Sequence, residues 1–275
     1  MKDAIIMNDP HVRALEYDFI PSENVDFKRA PPLRVETDVF SLTVDSGKAV
    51  FVLKQHFPSV EAARRPIDEY IGTWLMQAYL AGQESEFSLV YKNAAIVDRI
   101  STPPPPPTHG VVVVAGTGSL KITGYPATCI VSRSKFPDPP THFVKTPAVE
   151  TMYIRYRGYR EGKEPLSSMA YMCLTLLEAE ATASSSPKGN KRAKACKLFN
   201  IEKAVLDTIG VLSTNYGDPA EARKISGKGP RPPLTAQQRN WLEAALKAVI
   251  SRVARVAHDP KLAAATLAMK DLPPL

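Results

Sequence analysis

The sequence predicts an α+β fold: an N-terminal antiparallel or mixed sheet with one or two helices, followed by an all-α helical bundle. Three observations carry this reading. Strand-type alternation and a hairpin signal are confined to roughly the first 140 residues. Beyond Pro137, Pro139 and Pro140, apolar residues recur only at helical spacing. The composition, 44% hydrophobic and 23% charged over 275 residues, is that of a chain able to bury a core in one large domain or two modest ones. The expected domains are residues 1–140, a β-rich α+β domain, and residues 146–275, a helical bundle with basic loops.

The elements follow in order. Val12 to Ile20 reads as a strand with Leu15, Tyr17 and Phe19 on one face. Val39–Val44 and Ala49–Leu53 flank Asp45-Ser-Gly-Lys48, two β-rich runs around a short glycine turn, the strongest hairpin signal in the chain. Pro58-Ser59 opens a helix that Pro66 is expected to interrupt. A stripe of Ile67, Tyr70, Ile71, Trp74, Leu75 and Ala78 then runs to Gly82. Phe87, Leu89 and Tyr91 alternate as a strand does. Pro103 to Pro107 is an extended polyproline stretch. Val111–Val114 leads into Gly116-Thr-Gly118. The third glycine of a dinucleotide fingerprint is missing and Leu120–Thr123 alternates like a strand, so the glycines read as a turn. Thr128 to Ser132 is one more strand.

The second half is helical throughout. Thr146-Pro147 is a cap followed by a first-turn proline, with Val149, Tyr153 and Tyr156 inward. Pro165 opens Leu166–Ala181, where Met169, Met172, Cys173, Leu176 and Leu177 leave little polar face, as befits a central helix. Ala183 to Ala195 reads as a mobile Ser/Lys/Arg-rich loop, and Asn200 as the cap of a helix with Ile201, Val205, Ile209 and Leu212 inside. Asn215 to Pro233 is a second basic loop. Thr235 to His258 is the clearest helix of all. Thr235 and Gln238 form a capping-box pattern, and Leu242, Leu246, Val249, Val253 and Val256 make the stripe that Trp241, Ala245 and Ile250 widen. Glu243 and Lys247 are spaced to pair on its outer face.

Charge separates the halves. Residues 1–145 hold 15 Lys+Arg and 16 Asp+Glu, which leaves 20 and 12 of the chain's 35 and 28 for residues 146–275. The whole excess behind the net +7 lies in the helical half, as suits a polyanionic partner or solubility alone. Its densest parts are Lys188, Lys191, Arg192, Lys194 and Lys197, then Arg223, Lys224, Lys228 and Arg231, the candidate nucleic-acid-binding residues. Arg155, Arg157 and Arg160 interleave with Tyr153, Tyr156 and Tyr159, which is either a stacking platform for bases or, on the stronger reading, a core face. Glu161 and Glu164 read as surface carboxylates.

Other chemistry is sparse. Cys129, Cys173 and Cys196 are odd in number and scattered, which argues against a disulfide framework or a zinc site and for a reducing cytoplasm. His11, His56, His109, His142 and His258 lack the spacing of metal ligands, no serine sits in a nucleophile elbow, and no metal or cofactor is expected. No apolar run is long enough to span a bilayer, and the apolar patch in Met1–Pro10 is too short for a signal peptide, so no membrane partner is expected.

Arg252-Val-Ala-Arg-Val-Ala-His258 is an arginine, five residues, then a histidine. It resembles the Rx4–6H motif of the HEPN superfamily, helical bundles that include RNA-cleaving toxins and defence effectors. The resemblance covers roughly residues 146–260 and implies that Arg252 and His258 face RNA at a dimer interface; Val253 stands where the family has a polar residue. On one helix six residues turn through about 600°, so the two side chains leave the axis about 120° apart and converge only through a helix end or a partner subunit. Three functions follow as expectations. The first is a non-enzymatic cytoplasmic binding protein that engages RNA, DNA or a protein partner, or a second copy, through the basic helical half. The second is a metal-independent ribonuclease of the HEPN kind. The third is a structural subunit of a larger assembly.

Overall fold

A computed structural model describes residues 9–83, 86–99, 130–184, 189–216, 232–263 and 265–275. The polyproline stretch, Val111–Val114, the Gly116/Gly118 turn and Leu120–Thr123 lie outside the described residues. Packing divides the chain into two compact units: Met1–Gly72 with Gln83–Asp138, and Thr73–Gly82 with Pro139–Leu275. The fold is α+β, a five-stranded antiparallel sheet followed by a set of helices.

In the first unit the sheet runs in the order β3-β4-β5-β1-β6, all antiparallel, from β1 (Pro10–Pro21), β3 (Leu33–Glu36), β4 (Phe40–Asp45), β5 (Lys48–Leu53) and β6 (Phe87–Asp98). The short β2 (Val25–Asp26) pairs in parallel with β7 (Val131–Ser132), which is what the described part of Thr128–Ser132 forms. Leu15, Tyr17 and Phe19 are buried on one face as alternation demands, but the next buried residue toward the start is Val12. A β-bulge between Val12 and Ala14 shifts the pleat by one residue, which reconciles that spacing of three with a single core face. The β4–β5 hairpin turns at Ser46 (φ +49°) and Gly47 (φ +77°), two left-handed residues, so its twist matches the strands it joins.

α1 (Val60–Leu80) is capped by Ser59, whose hydroxyl accepts from the Ala62 N–H at 3.2 Å, and ends at Gly82 (φ +82°). It does not break at Pro66, as the sequence reading expected. Proline there forfeits a backbone hydrogen bond to the preceding turn. Ala63 on one side of it and Ile67 and Ile71 on the other are all buried, and that burial holds the flanking turns on one axis. The early turns meet the sheet through side chains. The Tyr17 hydroxyl donates to Asp68 at 2.7 Å, Arg64 lies 4.4 Å over the Tyr91 ring, and Tyr70 packs edge-on against Phe40.

The sheet end where β1 begins holds a histidine pair. His11 and His56 rings lie 5.4 Å apart; Asp9 approaches His56 Nε2 at 3.5 Å and Arg99 Nε at 3.6 Å. Burial first, then the His56 and Arg99 charges, hold the His11 imidazole below its ordinary value of 6.5; Arg13 acts the same way and Asp9 opposes. Above that value His11 is neutral folded or unfolded. As pH falls below it, the unfolded chain takes up a proton that the folded site resists, so stability is lost as pH drops toward the folded value. The urea midpoint of the sheet unit should therefore fall between pH 7.5 and pH 5 by more in the native chain than in His11→Gln. Equal falls in the two proteins would show that His11 carries none of the effect.

In the second unit α2 (Pro147–Arg160) starts as expected, with Thr146 accepting from Val149 N–H at 3.2 Å and Pro147 in the first turn. Its core face is Ala148, Val149, Met152 and Tyr156; Tyr153 is half-buried, edge-on to Tyr79 at 5.5 Å. α3 (Leu166–Ala183) is the central helix, and its buried face is Met169, Ala170, Cys173, Leu174 and Leu177, with Met172 and Leu176 only partly covered. Burial pushes the Cys173 thiol up to about 12, which keeps it protonated and inert. α6 (Ala236–His258) carries both halves of the capping box, and every residue expected in its stripe is buried. Met76 and Leu80, from the last turns of α1, belong to this helical core.

Two expectations are corrected in this unit. The stretch read as a loop through Ala195 contains a helix, α4 (Lys191–Phe199). Its polar composition conceals good helix formers, an Asn190 cap that accepts from Ala193 N–H at 3.1 Å, and Ala195 and Phe199, buried four apart. Asn200 does not cap the next helix. It ends α4 in the left-handed region (φ +49°), and α5 (Lys203–Asn215) starts after Glu202. The C-terminal tail ties down this turn: Glu202 N–H donates to Leu267 O at 2.9 Å, Leu267 N–H to Asn200 O at 3.0 Å, and the Thr266 hydroxyl to Asn200 Oδ1 at 2.8 Å.

Candidate functional site

The end of α6 carries the Arg252/His258 pair, and within this chain the two side chains have different neighbours. Arg252 Nη1 donates to the Ala265 carbonyl at 2.7 Å, anchoring the tail. Burial, then the neighbouring Arg255 charge, lowers the affinity of its guanidinium for its proton, and Asp271 opposes this. His258 instead lies against His142, ring centroids 5.4 Å apart at 59°. Helix geometry sets the pair about 120° apart on α6, and the tail engages one guanidinium nitrogen of Arg252.

Histidines distant in sequence are thus brought together twice, His11 with His56 and His142 with His258. His109 lies outside the described residues. Among the described residues no group of three or more His, Cys, Asp or Glu side chains is placed to hold a metal ion.

The interleaved arginines and tyrosines of α2 are committed to the fold. Arg155 pairs with Glu164 at 3.1 Å, Arg157 with Glu161 at 3.0 Å and Arg160 with Glu243 at 3.6 Å. Tyr156 is fully buried, and the Tyr159 hydroxyl donates to Glu243. Glu161 and Glu164 are therefore ion-pair partners, and Glu243, expected on an outer face with Lys247, is turned toward α2.

The basic cluster divides. Lys188, Arg223, Lys224, Lys228 and Arg231 lie outside the described residues. Lys191, Arg192, Lys194 and Lys197 all stand on α4. Arg192 faces inward: its Nε donates to Glu178 at 2.9 Å and its Nη1 to Asp207 at 3.2 Å. Lys203 and then Arg192 hold the Asp207 carboxyl below its ordinary value. Gly210 makes room for the guanidinium, since a Cβ there would come within 2.9 Å of Nη1. Lys191, Lys194 and Lys197, three residues apart, spread over about 120° of the helix surface. Lys191 and Lys197 are exposed and Lys194 is half-buried. Lys194 and Lys197 border an open groove of about 350 Å³ whose other walls are Leu198, also exposed, and Ala181 and Ser184 at the end of α3. The sequence held no signal for that groove, because Ala181 and Ser184 are unremarkable helix-end residues until α4 is laid beside them.

No family model, curated protein or solved structure matches this chain. No helix among the described residues is long and apolar enough to cross a membrane.

Proposed function

We propose that the chain is a non-enzymatic binding protein whose helical unit engages a nucleic acid through α4. The observation that supports this best is the division of labour on that helix. Arg192 is committed to Glu178 and Asp207 inside the bundle, whereas Lys191 and Lys197 are exposed on the same helix, and Lys197 with the half-buried Lys194 borders a groove. Lysines on a rigid helix next to a shallow apolar trough suit a phosphate backbone, where point charges release counterions without reading bases. The separate neighbours of Arg252 and His258 favour binding over cleavage within one chain.

The test is a titration of the full chain with a single-stranded and a duplex oligonucleotide at two salt concentrations. Binding at low salt should fall steeply as salt rises. Exchange of Lys191, Lys194 and Lys197 for glutamine should weaken it for all sequences alike. The log–log salt slope should become shallower by about two to three, one phosphate contact per lysine. Absence of binding at low salt would move the weight to a protein partner or a structural subunit. Metal-independent RNA cleavage that disappears in His258→Ala would establish the ribonuclease instead.

A further inference from the structure

The sheet unit contains a cavity of about 390 Å³ that the nucleic-acid reading does not use. Its floor is aromatic. Phe19 from β1, Phe27 after β2 and Phe136 after β7 are all at least nine-tenths buried. Phe27 and Phe136 stack at 5.3 Å, and Phe19 meets them edge-on at 5.3 and 5.2 Å. Phe87 in turn stacks on Phe19 at 4.9 Å. The rim is polar and unbalanced: Asp26 and Asp45 carry two negative charges against the single ammonium of Lys28. Both carboxylates are oriented by the fold. Asp26 Oδ1 accepts from the Ser132 hydroxyl at 3.0 Å and from Lys28 N–H at 3.2 Å; Asp45 Oδ1 accepts from the Ser46 hydroxyl at 3.0 Å. Both residues line the cavity.

We propose that this cavity binds a small organic cation, a protonated amine carried on a compact aromatic stem. The size is that of a small-molecule site, which spans about 300–1,000 Å³. The stem packs on the three phenylalanines, whose rings favour edge and offset contacts with another aromatic group. The ammonium sits at the rim, where two carboxylates attract a cation and repel an anion of the same shape. The site comes from four separate parts of the chain, β1, the β2–β3 connection, the β4–β5 turn and the segment after β7, and this is why no motif announces it.

The experiment compares 2-phenylethylammonium with phenylacetate, stems of one shape and opposite charge, on the full chain by calorimetry and by NMR shifts of phenylalanine ring protons. Saturable binding of the amine with ring shifts, and none of phenylacetate, is expected. Asp45→Asn, on an exposed hairpin turn where folding is not at stake, should weaken the amine about five-fold at low salt. Asp26→Asn should weaken it as well, with a melt of each variant to verify the fold. The proposal fails if the amine does not saturate at millimolar concentration, if phenylacetate binds as well, or if Asp45→Asn leaves the affinity unchanged.

Discussion

Leu177→Ala should lower the unfolding free energy of the helical unit by about 2–5 kcal/mol, and Leu176→Ala by much less. Leu177 is fully buried in the middle of α3, on the face shared by Met169, Ala170, Cys173 and Leu174. Removing its isobutyl group forfeits the transfer free energy and leaves a cavity that four packed helix faces cannot close. Leu176 lies about 100° further round and is only half-buried, so much of its surface is wet in both states. The readout is convenient because the chain's two tryptophans, Trp74 and Trp241, both belong to the helical unit. Tryptophan fluorescence in urea therefore reports that unit. Equal losses at the two positions would mean that α3 presents a different face to the core.

The contrast between those leucines marks where the sequence stops being informative. The cap and buried stripe of α6 were legible because that stripe is bordered by charge and the cap is a local device that needs no tertiary knowledge; the turn of Glu243 toward α2 was not. The hairpin was legible for the same reason: Ser46-Gly47 between β-rich runs dictates its own turn. α3 is apolar nearly all round, so periodicity identifies the helix but not which of Leu176 and Leu177 faces in. α4 was missed because Lys and Arg dominate its composition, and only Ala195 and Phe199 betray an inner face. Continuity through Pro66 was missed because a local rule about proline was outweighed by burial on both sides of it.

The candidate sites were less legible than the fold. Arg252 and His258 are six residues apart in sequence, yet what each touches is set by residues far from both, Ala265 and His142. A charge run does not say which of its members points inward. Arg192 is distinguished from its three lysine neighbours only by Glu178 and Asp207, supplied by α3 and α5.

Phe51→Ala should cost the sheet unit about 3–5 kcal/mol, the range for removing a buried aromatic ring. Phe51 lies on β5, in register with Leu15 of β1 and Leu42 of β4, all three essentially inaccessible to solvent. Its ring is met by Tyr17 at 5.5 Å, Phe40 at 5.2 Å and Tyr70 at 6.3 Å, in edge-to-face geometry throughout. The contact with Tyr70, at the middle of α1, is one of those that seat the helix on the sheet, so the hole opens where helix and sheet share their core. Strands cannot slide to refill it, because a slip of one residue would turn every buried side chain of β5 to solvent. Hydrogen exchange of β1 and β5 amides confines the measurement to this unit. Their protection should fall by about two to four orders of magnitude, the exponential of that free energy, while Val52→Ala on the exposed side of the same strand leaves it nearly unchanged. A fall of less than ten-fold at Phe51 would mean that the ring fills space without bearing on the core.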